Sequence, residues 1–368
     1  MKVLLLADPN STHTIKWALS LAHRNINIYI FSLSKLNVNS YQDIKNIEIK
    51  SVNQTVKYEE GALSKIKYLK IVPLLKKYIS EIHPEIVHAH YASSYGLLGA
   101  LSKFHPFILS VWGSDVFDFP NNSFIHKAIL KYNLRKANKI LSTSEIMAKE
   151  TQLYTKKSIE ITPFGINTDQ FTYQQANDSL FDKDDIVIGT IKSLEPVYGI
   201  EYLIKTFKIV SDNNINLPLK LLIVGSGSLE KKLKGLVKSL NIEKQTIFTG
   251  KIPHSEVTKY LNMLSIFVAL SKKESFGVSV IEASACEKPV VVSNVGGLPE
   301  VVDNNNTGFV VTPKSEKEAA KMIERLVLDQ KLRIKMGKAG RERVKKLYNW
   351  DNNVKQMITI YNKILEND

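Results

Sequence analysis

The chain has 368 residues, long for one core and ample for two α/β domains of ordinary size. Its composition, 44% hydrophobic and 23% charged, is that of a globular protein and excludes wholesale disorder. The formal net charge of +14 draws anions, yet no zinc-finger spacing, basic zipper or aromatic RNA-binding signature occurs, so nucleic acid is not an expected partner.

In chain order, Val3 to Ala7 reads as a first strand, because Asp8, Pro9 and Asn10 stop the apolar run far short of a signal-peptide core. Thr14 to Arg24 places Ile15, Ala18, Leu19 and Ala22 at helical spacing. Strands follow at Ile28 to Leu33, Ile86 to His90, Phe107 to Trp112 and Lys139 to Thr143. A second series has strands at Ile186 to Ile191, Leu219 to Val224, Thr246 to Thr249, Ile266 to Leu270 and Val290 to Ser293, with amphipathic stretches between them. Strands alternating with helices imply parallel sheets covered on both faces, so the fold class is α/β with two consecutive Rossmann-type units. A polar seam lies near residues 168 to 184, and Ser315 with Glu318 forms a capping-box pattern before a late helix.

The stretch from Leu63 to Ile79 interleaves Lys65, Lys67, Lys70, Lys76 and Lys77 with leucine and isoleucine, and a second basic helix is expected from Phe124 to Lys136. Such helices suit an anionic membrane surface, and they equally suit the solvated face of a basic protein. No run of about eighteen apolar residues occurs, so any membrane association is expected to be peripheral. The single cysteine, Cys286, fits a reducing, cytoplasmic compartment.

The segment richest in chemistry runs from Ser271 to Ala283. A buried strand leads through a glycine turn into a helix start near Val278, and free N–H groups and the helix dipole at such a start attract phosphate. Gly277 allows close backbone approach. Glu274 can accept hydrogen bonds from sugar hydroxyls, and Glu282, about one turn into the helix, from a ribose.

Glu274 and Glu282 with seven residues between them, followed by Pro289-Val290, Gly296-Gly297-Leu298-Pro299-Glu300 and Thr307-Gly308, form an ordered set. Thr162-Pro163-Phe164-Gly165 and Thr249-Gly250-Lys251-Ile252-Pro253 precede them. The set resembles the retaining glycosyltransferases of family 4, also called group 1, whose fold is GT-B: two facing Rossmann-like domains with a cleft between them. The resemblance covers essentially the whole chain and is strongest from residue 162 to 312. It implies an N-terminal acceptor-side domain over 1–168, a nucleotide-sugar-binding domain over 169–349, and a C-terminal helix over 350–368 returning to the first domain.

The resemblance also implies roles. Glu274 contacts the transferred sugar, and the backbone of Ser275, Phe276, Gly277 and Val278 holds sugar and diphosphate. Glu282 holds the ribose, Ile252 lies near the base, and Gly225 belongs to a turn lining the nucleotide pocket. The donor is a UDP- or GDP-linked sugar acting as co-substrate. No further cofactor and no metal is expected, because basic groups and helix N-termini neutralise the leaving group. The acceptor is expected to be a cell-surface glycan or a lipid-linked precursor.

Two departures from the family pattern stand out. The usual diphosphate-binding Arg and Lys positions hold Ser193 and Tyr198, which leaves Lys192 as the nearest cation. Trp112 stands where many relatives have a histidine, and His90 is the candidate to fill similar space. Asn10, Ser11 and Thr12 replace the usual glycine pair of a cleft loop and, with His13, are expected to touch phosphate or acceptor, and Asp115 lies beside Trp112 on the acceptor side. Asp115 with Asp118 superficially resembles a metal pair. The alternatives are a nucleotide-sugar epimerase of similar fold, which would need an acid/base set not visible here, and a noncatalytic nucleotide-sugar-binding subunit.

Overall fold

The computed structural model describes residues 1–52, 70–175 and 180–366. Lys65 and Lys67 of the first basic stretch, and Asn177 and Asp178 of the seam, lie outside them. The chain forms two compact units, Met1–Pro163 with Asn352–Asp368, and Phe164–Asp351.

Among the described residues the first unit carries seven strands: β1 (Lys2–Leu6), β2 (Asn27–Ser32), β3 (Ile47–Ser51), β4 (Ile86–His90), β5 (Phe107–Val111), β6 (Lys139–Ser142) and β7 (Ile159–Ile161). They pair in parallel in the order β3-β2-β1-β4-β5-β6-β7. Val3 to Leu6 and Ile86, Val87 and Ala89 are fully buried, as expected of strands covered on both faces. The second unit repeats the pattern with β8 (Ile186–Ile191), β9 (Leu219–Val224), β10 (Thr246–Gly250), β11 (Ile266–Ala269), β12 (Val290–Ser293) and β13 (Gly308–Val311), in the order β10-β9-β8-β11-β12-β13. Each sheet reverses its winding once, between β1 and β4 and between β8 and β11. The loops leaving those strands diverge at their carboxyl ends, where such sheets bind ligands.

Three strands escaped the sequence reading. β3 is an edge strand of alternating half-buried and exposed residues, β7 has three residues, and β13 opens on glycine. The expected helix over Phe124–Lys136 is present, begun by Ser123 accepting from the His126 N–H. The capping box is only half formed. Ser315 accepts from the Glu318 N–H, but the Glu318 carboxylate takes the Thr312 N–H at 2.9 Å and does not reach back to Ser315. Among the described residues no helix is long and apolar enough to cross a membrane.

The last helix, Trp350–Glu366, contributes to the first unit through a buried polar bond. The Tyr361 hydroxyl lies 2.7 Å from His88 Nδ1, and His88 Nε2 lies 2.8 Å from Ser110 Oγ, with His88 and Tyr361 wholly buried. Both ring nitrogens of a strand histidine are thereby satisfied inside the core. Tyr361→Phe removes one partner and leaves a buried nitrogen unpaired, a loss of about 1–3 kcal/mol. Urea denaturation of wild type and variant is expected to show that destabilisation in the transition of the first unit.

Candidate active site

In the second unit, Lys192 follows β8 and Glu274 follows β11, the two strands at the winding reversal. Lys192 Nζ donates to Glu274 Oε2 at 2.5 Å and lies 4.4 Å from the centre of the Tyr198 ring. Both charged side chains are mostly buried, at 16% and 13% exposure, which makes the pair more than a surface ornament. The side chain at the usual second-cation position thus serves as an aromatic floor for the cation that is present.

Gly277, at φ +111, ends the loop and starts the helix Val278–Ala285, with no side chain capping its first turn. The first-turn N–H groups of a helix have no partners within it, so this start is a donor-rich end at the sheet's carboxyl edge. Phe276 is buried with its ring edge-on to Phe164 and Tyr348, fixing the loop from below. Glu282 is buried on the same helix, with Oε1 3.6 Å from His254 Nε2. His254 comes just after Ile252, which is half-buried, so the loop after β10 reaches the ribose-candidate carboxylate.

Two glycine turns let backbone meet backbone at this edge. At Gly296, with φ +49, a Cβ would sit 1.7 Å from the Glu274 carbonyl oxygen, and the Gly297 N–H donates to that oxygen at 3.0 Å. At Gly225, with φ +135, a Cβ would sit 2.0 Å from the Lys192 carbonyl oxygen. Ser228 closes the second contact by donating from its N–H and hydroxyl to Glu195, whose pKa these bonds lower. The backbones carrying Lys192 and Glu274 are therefore each seated on a glycine turn. Sequence reading assigned Gly225 to a pocket-lining turn and missed what Gly296, Tyr198 and His254 do. The glycine pair before Leu298 was the available signal.

In the first unit, His90 ends β4 and Trp112 follows β5. The His90 ring lies 4.6 Å from Trp112 and 4.6 Å from His88, and His13 packs edge-on to Trp112 at 5.7 Å. The structure thus brings together three of the acceptor-side candidates beside the winding reversal of this sheet. Burial, with the neighbouring His88 and His13, pushes His90 well below its ordinary pKa, and its Nδ1 is buried without a hydrogen-bond partner. Burial and then Lys16 lower His13 to about 4, and burial lowers His88 to about 3.

Two other candidates turn inward. The buried Asp115 carboxylate accepts N–H bonds from Ala92 at 2.6 Å, Gly113 at 2.7 Å and Trp112 at 3.2 Å. Burial raises its pKa and these bonds oppose the rise. Asp115 ties down the loop that carries Trp112. Asn10 holds Lys35 and Asn37 backbone with its side chain, and Ser11 precedes the helix Thr12–Ala22 without a side-chain capping bond. Among the described residues no group of three or more His, Cys, Asp or Glu side chains could hold a metal ion.

His88 protonates at about its ordinary 6.5 when unfolded and near 3 when folded, so the unfolded chain binds more protons between those values. The stability of the first unit is then full above pH 6.5 and declines as pH falls towards 3, and His88→Gln flattens that slope in melting temperature against pH. For the second unit, Gly296→Ala forces the Glu274 loop to move and costs about 1–3 kcal/mol in denaturation. Gly235→Ala, on an open helix surface with nothing within 4 Å of the added carbon, is the control and stabilises by about 0.5–1 kcal/mol.

Residues 172–343 match the family model described as glycosyl transferases group 1, and residues 2–144 match the model described as glycosyl transferase 4-like. The chain is 27% identical over 346 residues to an uncharacterized glycosyltransferase of Methanocaldococcus jannaschii, covering 93% of this chain and 91% of that protein. It is 25% identical over 350 residues to the N-acetyl-alpha-D-glucosaminyl L-malate synthase of Bacillus anthracis, covering 92% and 88%. Among solved structures, Anabaena HepE in complex with UDP superposes with a TM-score of 0.83 at 17% identity, over 99% of this chain and 100% of that one. With two parallel-sheet Rossmann-like units and both family matches, the chain belongs to the group 1 glycosyltransferases of GT-B fold.

Proposed function

We propose that the protein is a retaining, metal-independent hexosyltransferase that moves a sugar from a UDP- or GDP-linked donor to a glycan or lipid-linked acceptor. The observation that carries this reading is the Lys192–Glu274 pair beside the uncapped helix start at Gly277. The diphosphate sits against the N–H groups of Phe276 to Val278, and Lys192 turns from Glu274 towards it as a point charge. Glu274, released, accepts the sugar hydroxyls. Glu282 accepts the ribose hydroxyls, and Ile252 borders the base.

As the anomeric bond breaks, the sugar gains oxocarbenium character and charge builds on the departing phosphate. Donors aimed at that charge lower the barrier, and none of them has to be a metal. In the front-face course the acceptor oxygen bonds to the anomeric carbon on the face from which the phosphate departs, which keeps the anomeric configuration, and the departing phosphate oxygen takes the acceptor proton. His90 and Trp112 border the acceptor, with the imidazole of His90 neutral. The UDP carried by HepE, a protein of the same fold, supports the donor class.

The test is nucleoside diphosphate release from a panel of UDP- and GDP-sugars, with and without lipid-linked acceptor and with EDTA. Acceptor-dependent release, unchanged by EDTA and giving product of retained configuration by NMR, is the expected result. Binding without release from any donor would mean a noncatalytic subunit, and donor conversion without acceptor an epimerase. Lys192→Met is expected to lower kcat about 100- to 1,000-fold. Glu282→Ala should weaken donor affinity about tenfold or more, and unchanged affinity would rule out the ribose contact.

A further inference from the structure

Away from the carboxyl edge of the first sheet, the helix Phe124–Lys136 and the segment before β7 line an open cavity of about 620 Å³. Its walls are Ala128, Lys131, Tyr132 and Arg135 from the helix and Tyr154, Lys156 and Lys157 from the segment. The segment precedes a strand and the helix ends before one, so the cavity belongs to the amino end of β6 and β7. The catalytic candidates lie at the other end.

The charges in this cavity are of two kinds. Lys157 Nζ donates to the carbonyl of Arg135 at 2.7 Å and to that of Ala137, so it closes the helix C-terminus and builds the wall. Lys131, Arg135 and Lys156 are exposed and form no ion pair with a described carboxylate. Arg135 lies over the Tyr132 ring at 5.8 Å, and Lys127 over the Tyr154 ring at 5.8 Å. The nearby carboxylate of Glu150 faces the Tyr154 hydroxyl at 3.4 Å. Three cations without a carboxylate partner beside one open cavity suit a phosphate group.

Apolar side chains flank the same place. Phe124, four residues before Ala128 and so on the same helix face, is 83% exposed. Leu153, next to the wall residue Tyr154, is 69% exposed. A free anion in water has no use for either side chain. A bilayer interface uses both kinds of group, taking the apolar ones among its acyl chains and the cations at its phosphates.

We infer that this face docks on an anionic phospholipid bilayer, with a lipid phosphate held by Lys131, Arg135 and Lys156 and with Phe124 and Leu153 inserted beside it. The inference does not depend on the donor chemistry above. Its occupant is charge-complementary to a chain of net charge +14.

The full chain is mixed with vesicles of phosphatidylcholine containing phosphatidylglycerol, or of phosphatidylcholine alone, and sedimented. Binding to the anionic vesicles only, weakened by salt, is expected. Lys131→Gln, Arg135→Gln and Lys156→Gln should each lower the partition coefficient about fivefold, corresponding to about 1 kcal/mol per cation, and the triple variant about 100-fold. Phe124→Ser with Leu153→Ser should lower it as well, while donor affinity and melting temperature stay as in wild type in every variant. Equal partition of the triple variant and wild type would overturn the inference. So would equal binding to neutral vesicles, or binding of inorganic phosphate with none to vesicles.

Discussion

Lys192 and Glu274 stand 82 residues apart and meet at 2.5 Å because β8 and β11 are neighbours at the one place where the sheet reverses its winding. Parallel strands need crossovers, crossovers put helices on both faces, and the loops at the reversal part to leave a space at the strands' carboxyl ends. A cation, a carboxylate and a helix N-terminus are all delivered to that space. The ion pair is also an internal counter-charge. A mostly buried ammonium and a mostly buried carboxylate satisfy one another, and neither is left paying full desolvation.

Much of this was legible in the sequence because buried parallel strands are written as apolar runs. β1, β4, β8, β9 and β12 read directly as Val-, Ile- and Leu-rich segments. β3, β7 and β13 were not legible, since an alternating edge strand, a three-residue strand and a glycine-led strand carry too little local signal. The site divides in the same way. Glu274, Gly277 and Glu282 lie within nine residues, and local spacing marks them. The pairing of Lys192 with Glu274, the Tyr198 ring beneath it and the seat of Gly296 under the Glu274 carbonyl are long-range contacts, which no window of sequence contains.

The two sheets use their equivalent positions differently. At the reversal in the second unit the groups are charged and hydrogen-bonded. In the first unit they are packed rings, His13, His90 and Trp112, with burial keeping the two imidazoles neutral and Asp115 holding the Trp112 loop. One edge is charged and the other aromatic. The same scaffold thus supplies two chemically distinct sheet edges.

The helix Trp350–Glu366 has a bearing on how the chain is made. It belongs to the first unit, and Tyr361 completes the bonding of His88, 273 residues earlier. Synthesis from the N-terminus ordinarily lets the leading domain finish first. Here the order inverts. By the time residue 351 has emerged, the second unit has all its strands, whereas the first still waits with an unpaired histidine in its core and the surface meant for the last helix uncovered. The leading half of the chain is therefore the last to be finished, and it is the half that a folding helper would need to shield.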